Sequence, residues 1–78
     1  MQHVAKVIAK QVRKRRKDLG ITQQTLADRL GMRQSAIARI ESGVNDDIGM
    51  ATCVALARGL DVSLEYLVGM QEPEAVGT

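Results

Sequence analysis

Three positions in one segment, Ala27, Gly31 and Ile37, constrain the fold of this chain more than any other feature. They place a small residue, a glycine and an aliphatic residue at spacings of four and six. Only a small side chain lets two helices cross closely, glycine suits the left-handed backbone of a tight turn, and the aliphatic side chain fills the gap between the helices. The segment therefore predicts two short helices joined by a tight turn, a helix-turn-helix unit.

Apolar residues recur at intervals of three and four along most of the chain, which is the period of one helical face. Glycines and the N-cap residues Thr22 and Ser63 mark the ends of several of these stretches. Val4 belongs to the apolar face of the first stretch, and Met50 and Cys53 belong to that of the fourth. The predicted helices cover residues 2–18, 23–30, 34–42, 49–59 and 64–68.

The core must be aliphatic, since the chain has no Trp or Phe and a single Tyr. Such a core favours packed helices over a sandwich or barrel, whose strands are rich in aromatic and β-branched residues. We therefore expect a compact all-α domain over residues 1–70. The segment 71–78 has no periodicity and is expected to be a flexible tail. A chain this short buries only about 60% of its unfolded surface, so a partner subunit would add stability.

Several classes of function are disfavoured by the residues present. One cysteine, Cys53, excludes an intramolecular disulfide, and His3 without a cysteine pair cannot build a zinc site. No nucleophile has a nearby histidine base and no glycine-rich phosphate loop follows a strand, so we expect neither an enzyme nor a cofactor. No apolar run is long enough to span a membrane, so we expect a cytoplasmic protein. Cys53 is interpreted as a packed core residue, with a redox switch as the alternative.

Charge is divided unequally along the chain. Residues 1–39 carry ten Lys or Arg against two Asp or Glu, whereas residues 40–78 carry one Arg against seven Asp or Glu. The first half therefore has a net charge of +8 and the second half −6. We expect a polyanionic partner to bind the first half.

The chain resembles the phage repressor and Cro family of helix-turn-helix proteins, the XRE type. The resemblance runs from about Ile8 to Leu67 and includes three stretches outside the turn. It implies a five-helix lambda-repressor-like fold, with the third helix in the major groove of double-stranded DNA and homodimers on half-sites about 34 Å apart. It also implies a transcriptional repressor, associated with the nucleoid, that binds a palindromic operator. The three stretches are Leu19-Gly20-Ile21-Thr22-Gln23, Ile40-Glu41-Ser42-Gly43 and Asp61-Val62-Ser63-Leu64.

The resemblance assigns base reading to four residues of the third helix. Their side chains suit the task, because an Arg can donate two hydrogen bonds to guanine, a Gln can bond adenine through two atoms, and a Ser adapts to either. One of them departs from the family pattern: an Arg stands where a Ser or Thr cap is common, and Arg has no acceptor for a helix amide. The four residues are Arg33, Gln34, Ser35 and Arg39.

Phosphate contacts are expected from the second helix and from the first. Gln23, with Thr22 beside it, opens the second helix, where free amides and the helix dipole attract a phosphate oxygen. Arg13, Lys14 and Lys17 at the end of the first helix are further candidates. The alternative interpretation is a basic surface that is merely solvated.

Arg16 and Glu41 are expected to play a structural part, because in similar proteins these two positions meet as an ion pair beneath the third helix. Dimerisation is expected through the last helix, since similar proteins use this end, although its apolar residues could instead only cover the core. The residues assigned to dimerisation are Leu64, Tyr66, Leu67, Val68 and Met70.

Two other functions stay open at the level of sequence. Some small helical domains of this kind bind protein, and an antitoxin would use both a DNA surface and a protein surface. A basic amphipathic first helix could also lie on anionic lipid. The polar side chains of Gln34, Ser35 and Arg39 argue against a third helix that binds only protein.

Overall fold

The computed structural model describes residues 3–44 and 48–70 of the 78-residue chain. These residues form five helices and no strand, so the all-α prediction is confirmed. The second and third helices begin and end at the predicted residues, and the fourth begins and ends one residue later than predicted. The tail predicted over residues 71–78 lies outside the described residues. The helices are α1 (His3–Asp18), α2 (Gln23–Leu30), α3 (Gln34–Ser42), α4 (Met50–Leu60) and α5 (Leu64–Leu67).

The turn between α2 and α3 has the geometry that its glycine requires. Gly31 lies in the left-handed region at φ +67°, and its N–H donates to Asp28 O at 3.3 Å. The N–H of Met32 donates to Ala27 O at 2.9 Å, which completes a two-bond helix end. Ala27 and Ile37 are both fully buried, so the small residue and the aliphatic residue occupy the crossing of α2 and α3 as predicted.

One aliphatic core joins all five helices. Burial raises the pKa of the Cys53 thiol, which disfavours the reactive thiolate and agrees with a packed core residue. No buried side-chain nitrogen or oxygen among the described residues lacks a hydrogen-bond partner. The largest fully buried side chains are Ile8, Val12, Leu26, Ile37, Leu56, Leu60 and Leu67.

Two residues of the predicted apolar faces are exposed. Val4 is 41% exposed and Met50 is 70% exposed. Both stand in the first turns of their helices, so the apolar period continues where none of the five described helices covers it. The buried face of α1 begins at Ala5, and that of α4 begins at Cys53.

Long-range hydrogen bonds fasten α1 to the carboxyl end of the fold. Arg15 Nε donates to Leu60 O at 2.8 Å, and Gln11 Nε2 donates to Tyr66 O at 2.9 Å. The first of these satisfies one of the last carbonyls of α4, which have no partner within their own helix. An arginine at this point also complements the negative end of the helix dipole.

Stability should depend on Leu56 and hardly at all on Met50, although both are long apolar residues of α4. Leu56→Ala removes a fully buried side chain and should lower the free energy of unfolding by about 2–5 kcal/mol. Met50→Ala removes an exposed one and should change the free energy of unfolding of the monomer by less than about 0.5 kcal/mol. Urea denaturation followed by circular dichroism measures both, and equal losses would contradict the placement of α4.

Candidate nucleic-acid interface

The outer face of α3 presents the four residues assigned to base reading. Arg33, Gln34, Ser35 and Arg39 are all exposed, whereas Ile37 and Ile40 of the same helix are buried. Ser35 stands one turn before Arg39, so these two side chains share one face of the helix, and Gln34 is exposed in the first turn beside them. The helix therefore offers amide, hydroxyl and guanidinium groups outward while its aliphatic residues hold it to the core.

The first turn of α3 has no side-chain cap. Arg33 occupies the N-cap position with extended backbone, and its side chain accepts no amide bond. Its carbonyl accepts from the N–H groups of Ala36 and Ile37, at 3.0 and 3.3 Å. The first amides of a helix have no partner within the helix, so this turn keeps donors that a phosphate or base could use. By contrast Thr22 caps α2, accepting from the N–H of Thr25 at 3.0 Å.

A chain of side-chain hydrogen bonds runs from α1 to the first residue of α3. Arg16 Nε donates to Glu41 Oε2 at 2.7 Å, and Arg16 Nη2 donates to Glu41 Oε1 at 3.1 Å. Gln23 Nε2 donates to the same Glu41 Oε1 at 3.1 Å. Gln34 Nε2 then donates to Gln23 Oε1 at 2.6 Å. The amide of Gln34 is thus oriented by a sequence of contacts that begins at an ion pair.

The Arg16–Glu41 pair is largely withdrawn from solvent, with side-chain exposures of 12% and 5%. The hydrogen bond to Glu41 raises the pKa of Arg16, burial opposes the rise, and the charge of Glu41 adds to it. Arg16 Nη1 also donates to Ile21 O at 2.9 Å. Both charges are therefore paired and bonded, which is the condition under which a buried ion pair is tolerated.

A basic groove, defined here as the space between α1 and the carboxyl end of α3, borders this pair. The cations expected to contact phosphate, Arg13, Lys14 and Lys17, line the groove and are exposed. Lys6 and Lys10 continue the line toward the start of α1 and were not among the residues expected to bind DNA. Their spacing of four on the same helix face was the sequence signal that could have identified them.

The last helix provides a different kind of surface. Leu64, Tyr66 and Val68 are half-buried and Met70 is 74% exposed. Leu67 is fully buried within the core, so it has no surface for a second copy and its assignment to dimerisation is corrected. A mostly apolar groove continues from this end to the exposed Met50 and Val4. It is lined by Val4, Ala5, Ile8, Ile48, Met50, Cys53, Leu64, Glu65, Val68 and Met70.

Within residues 3–44 and 48–70 there is no group of three side chains that could hold a metal ion. No helix of the described part of the chain is long and apolar enough to cross a membrane.

Breaking the Arg16–Glu41 ion pair should destabilise the protein, because the remaining charge stays buried without a partner. Glu41→Gln keeps the shape of the side chain but strands the charge of Arg16, and should lower the free energy of unfolding by about 3–5 kcal/mol. The matched control, Asp28→Asn, removes a charge from an exposed residue of α2 and should cost less than about 0.5 kcal/mol. Urea denaturation measures both. A double variant, Arg16→Met with Glu41→Leu, should lose less than Glu41→Gln alone, and a larger loss would contradict a stranded charge as the cause.

Comparison with known proteins agrees with this geometry. The family model HTH_3, described as helix-turn-helix, matches residues 12–67, which is more than half of the chain. A search of curated proteins finds no match. Among solved structures, "Crystal Structure of FeII HppE" is similar at a TM-score of 0.78 and 22% identity, over 83% of this chain and 34% of that chain. This likeness concerns the fold alone, and the chain spans about a third of that protein's length. The chain belongs to the HTH_3 family, the Cro/C1 or XRE type of DNA-binding transcription regulators.

Proposed function

We propose that this protein is a sequence-specific repressor that binds a palindromic operator in double-stranded DNA as a homodimer. The observation that carries the proposal is the exposed polar face of α3, whose first residue is held in place by the hydrogen-bond chain from Arg16. A helix placed in the major groove needs such a face, because base edges there are distinguished by patterns of donors and acceptors. The net charge of +8 on residues 1–39 supplies attraction to the duplex.

Gln34 retains the chemistry for reading adenine while it is bonded to Gln23. One amide proton of Gln34 Nε2 is used by Gln23 Oε1, which leaves the second proton and the carbonyl oxygen. Adenine presents an acceptor at N7 and a donor at N6, so these two groups fit one base. Arg33 and Arg39 suit guanine, and Ser35 adapts to either, so α3 can discriminate several positions.

Gln23 and Thr22 form the phosphate end of the proposed site. They stand at the start of α2, where the free amides and the helix dipole favour an anion. Arg13, Lys14 and Lys17 would bind further phosphates from α1. Contacts of this kind position a protein on DNA without reading its sequence.

Dimerisation is proposed at the end of the chain that carries α5. A palindromic operator has two-fold symmetry, which matches the symmetry of a homodimer. The exposed side chains of Met50 and Met70 offer an apolar surface away from the basic groove. Leu64, Tyr66 and Val68 complete this surface. The same exposed apolar residues also suit a different protein partner, as in an antitoxin, which is the second candidate function.

The remaining proposals follow from the same assignment. The domain would extend over residues 1–70, with Met70 ending the dimerisation surface. As a regulator whose family is not an enzyme family, the protein would catalyse no reaction and need no cofactor, and it would act in the cytoplasm at the nucleoid.

Substitutions at Gln34 and Gln23 should distinguish base recognition from contact with the phosphate backbone. Gln34→Ala removes the group that faces a base and should relax preference at one operator position in a binding-site selection, by about 1–3 kcal/mol of discrimination. Gln23→Ala removes a phosphate contact and also the acceptor that orients the amide of Gln34, so it should weaken binding to all duplexes and in addition relax preference at the position that Gln34 reads. Gln24→Asn, on the exposed face of α2, is the control and should change neither base preference nor overall affinity. Unchanged base preference in Gln34→Ala would refute its role.

Sedimentation of the full chain at micromolar concentration tests the dimer. Met70→Glu places a charge on the proposed interface, where it would lose solvation, and should raise the dimer dissociation constant at least about tenfold. Val44→Glu is the control, because Val44 is equally exposed but does not line the apolar groove. A monomeric wild type at these concentrations would favour the second candidate function instead.

A further inference from the structure

We infer that the basic groove binds the DNA backbone beyond each half-site, and that Lys6 and Lys10 provide this contact. The inference rests on the proposed function and extends its contact surface to two residues that the family match does not include, since the matched segment begins at residue 12. The observation that supports the inference is a continuous line of five exposed cations on one face of α1, directly beside the carboxyl end of α3. The five are Lys6, Lys10, Arg13, Lys14 and Lys17.

These cations face the groove without a neutralising partner in the described part of the chain. The carboxylate that lines the groove is Glu41, and both of its oxygens already accept from Arg16. Arg16–Glu41 is also the only ion pair formed among residues 3–44 and 48–70. The groove therefore concentrates positive charge that an external anion can neutralise, which distinguishes it from a helix face of alternating charges.

The position of the groove fits a nucleic-acid strand better than a small anion. Its wall on one side is the end of α3, where Ser42 and Gly43 follow the base-reading face. A Cβ added at Gly43 would lie 3.6 Å from Lys6 Cγ and 3.7 Å from Ala9 Cβ, so the start of α1 is packed directly against the point where α3 ends. A helix that leaves the major groove does so past the sugar-phosphate backbone that borders the groove. The same strand would therefore run on along α1.

The length of the line of cations agrees with a strand as its ligand. Lys6 and Lys17 are eleven residues apart, which corresponds to about 16 Å along an α-helix. Phosphates recur about every 3.4 Å of duplex axis on each strand, so the stripe can neutralise several of them. Ala9 also lines the groove, and its small, buried side chain adds little bulk there.

The test compares wild type with a Lys6→Gln, Lys10→Gln double variant on an operator obtained by binding-site selection. Each protein is titrated by fluorescence anisotropy against a duplex trimmed to the two half-sites and a duplex with about ten further base pairs at each end, between 50 and 300 mM salt. On the long duplex, the slope of log K against log salt should be smaller in magnitude by about 3.6 for the variant, because the two lysines of each of the two subunits no longer neutralise a total of four phosphates. On the trimmed duplex the two proteins should bind alike, and base preference should be the same for both.

The matched control is Arg29→Gln with Arg58→Gln, which removes two exposed cations that line a different groove. It should bind both duplexes as wild type does, and circular dichroism verifies that every variant is folded. Equal slopes for wild type and the lysine variant on the long duplex would overturn the inference while leaving the proposed function intact. A wild type that binds no selected duplex would overturn the proposed function itself. Lysine-dependent binding to vesicles of 30% phosphatidylglycerol in phosphatidylcholine, with unchanged DNA affinity, would assign the groove to lipid instead.

Discussion

The ion pair between Arg16 and Glu41 joins the strongly basic first helix to the third helix. The cations of α1 repel one another, and the carboxylate of Glu41 is placed where it neutralises one of them and opposes this repulsion. Because the pair is largely buried and also engages Ile21 O and Gln23, it fixes α1, α2 and α3 relative to one another. The geometry of the DNA-binding face therefore depends on a contact that DNA itself need not reach.

How much could be predicted from sequence depended on whether the signal was local. The ends of α2 and α3 followed from Thr22, Gly31 and Gly43, each of which acts on the turn where it stands. Met50 continued the apolar period of α4 but lies beyond the core, because a period does not show where the packed partner ends. The hydrogen bonds from Arg15 to Leu60 O and from Gln11 to Tyr66 O join residues that are 45 and 55 positions apart. No local sequence pattern predicts contacts over such separations. The uncapped start of α3 at Arg33 was visible in the sequence, because the side-chain type alone decides it.

The cations of the chain are concentrated on one helix. Seven of the eleven Lys and Arg residues belong to α1, and five of them line the basic groove, whereas the charged residues of α4 and α5 are Arg58 and Glu65. A field of this kind favours approach to a polyanion in one orientation and raises the rate of productive encounter. The apolar groove near Met50 and Met70 shares no lining residue with the basic groove, so the proposed dimer surface and the proposed DNA surface would not overlap.

Tyr66 is the single aromatic residue of the chain, and it stands next to the proposed dimer surface with its carbonyl bonded to Gln11. Near-ultraviolet absorption and intrinsic emission of the protein consequently originate at one place. A change in that emission reports the surroundings of Tyr66 in α5, whereas the residues of α3 that are proposed to read bases carry no chromophore of their own. Because the chain has a single aromatic residue, its intrinsic fluorescence reports on the proposed dimer surface and not on the proposed DNA surface.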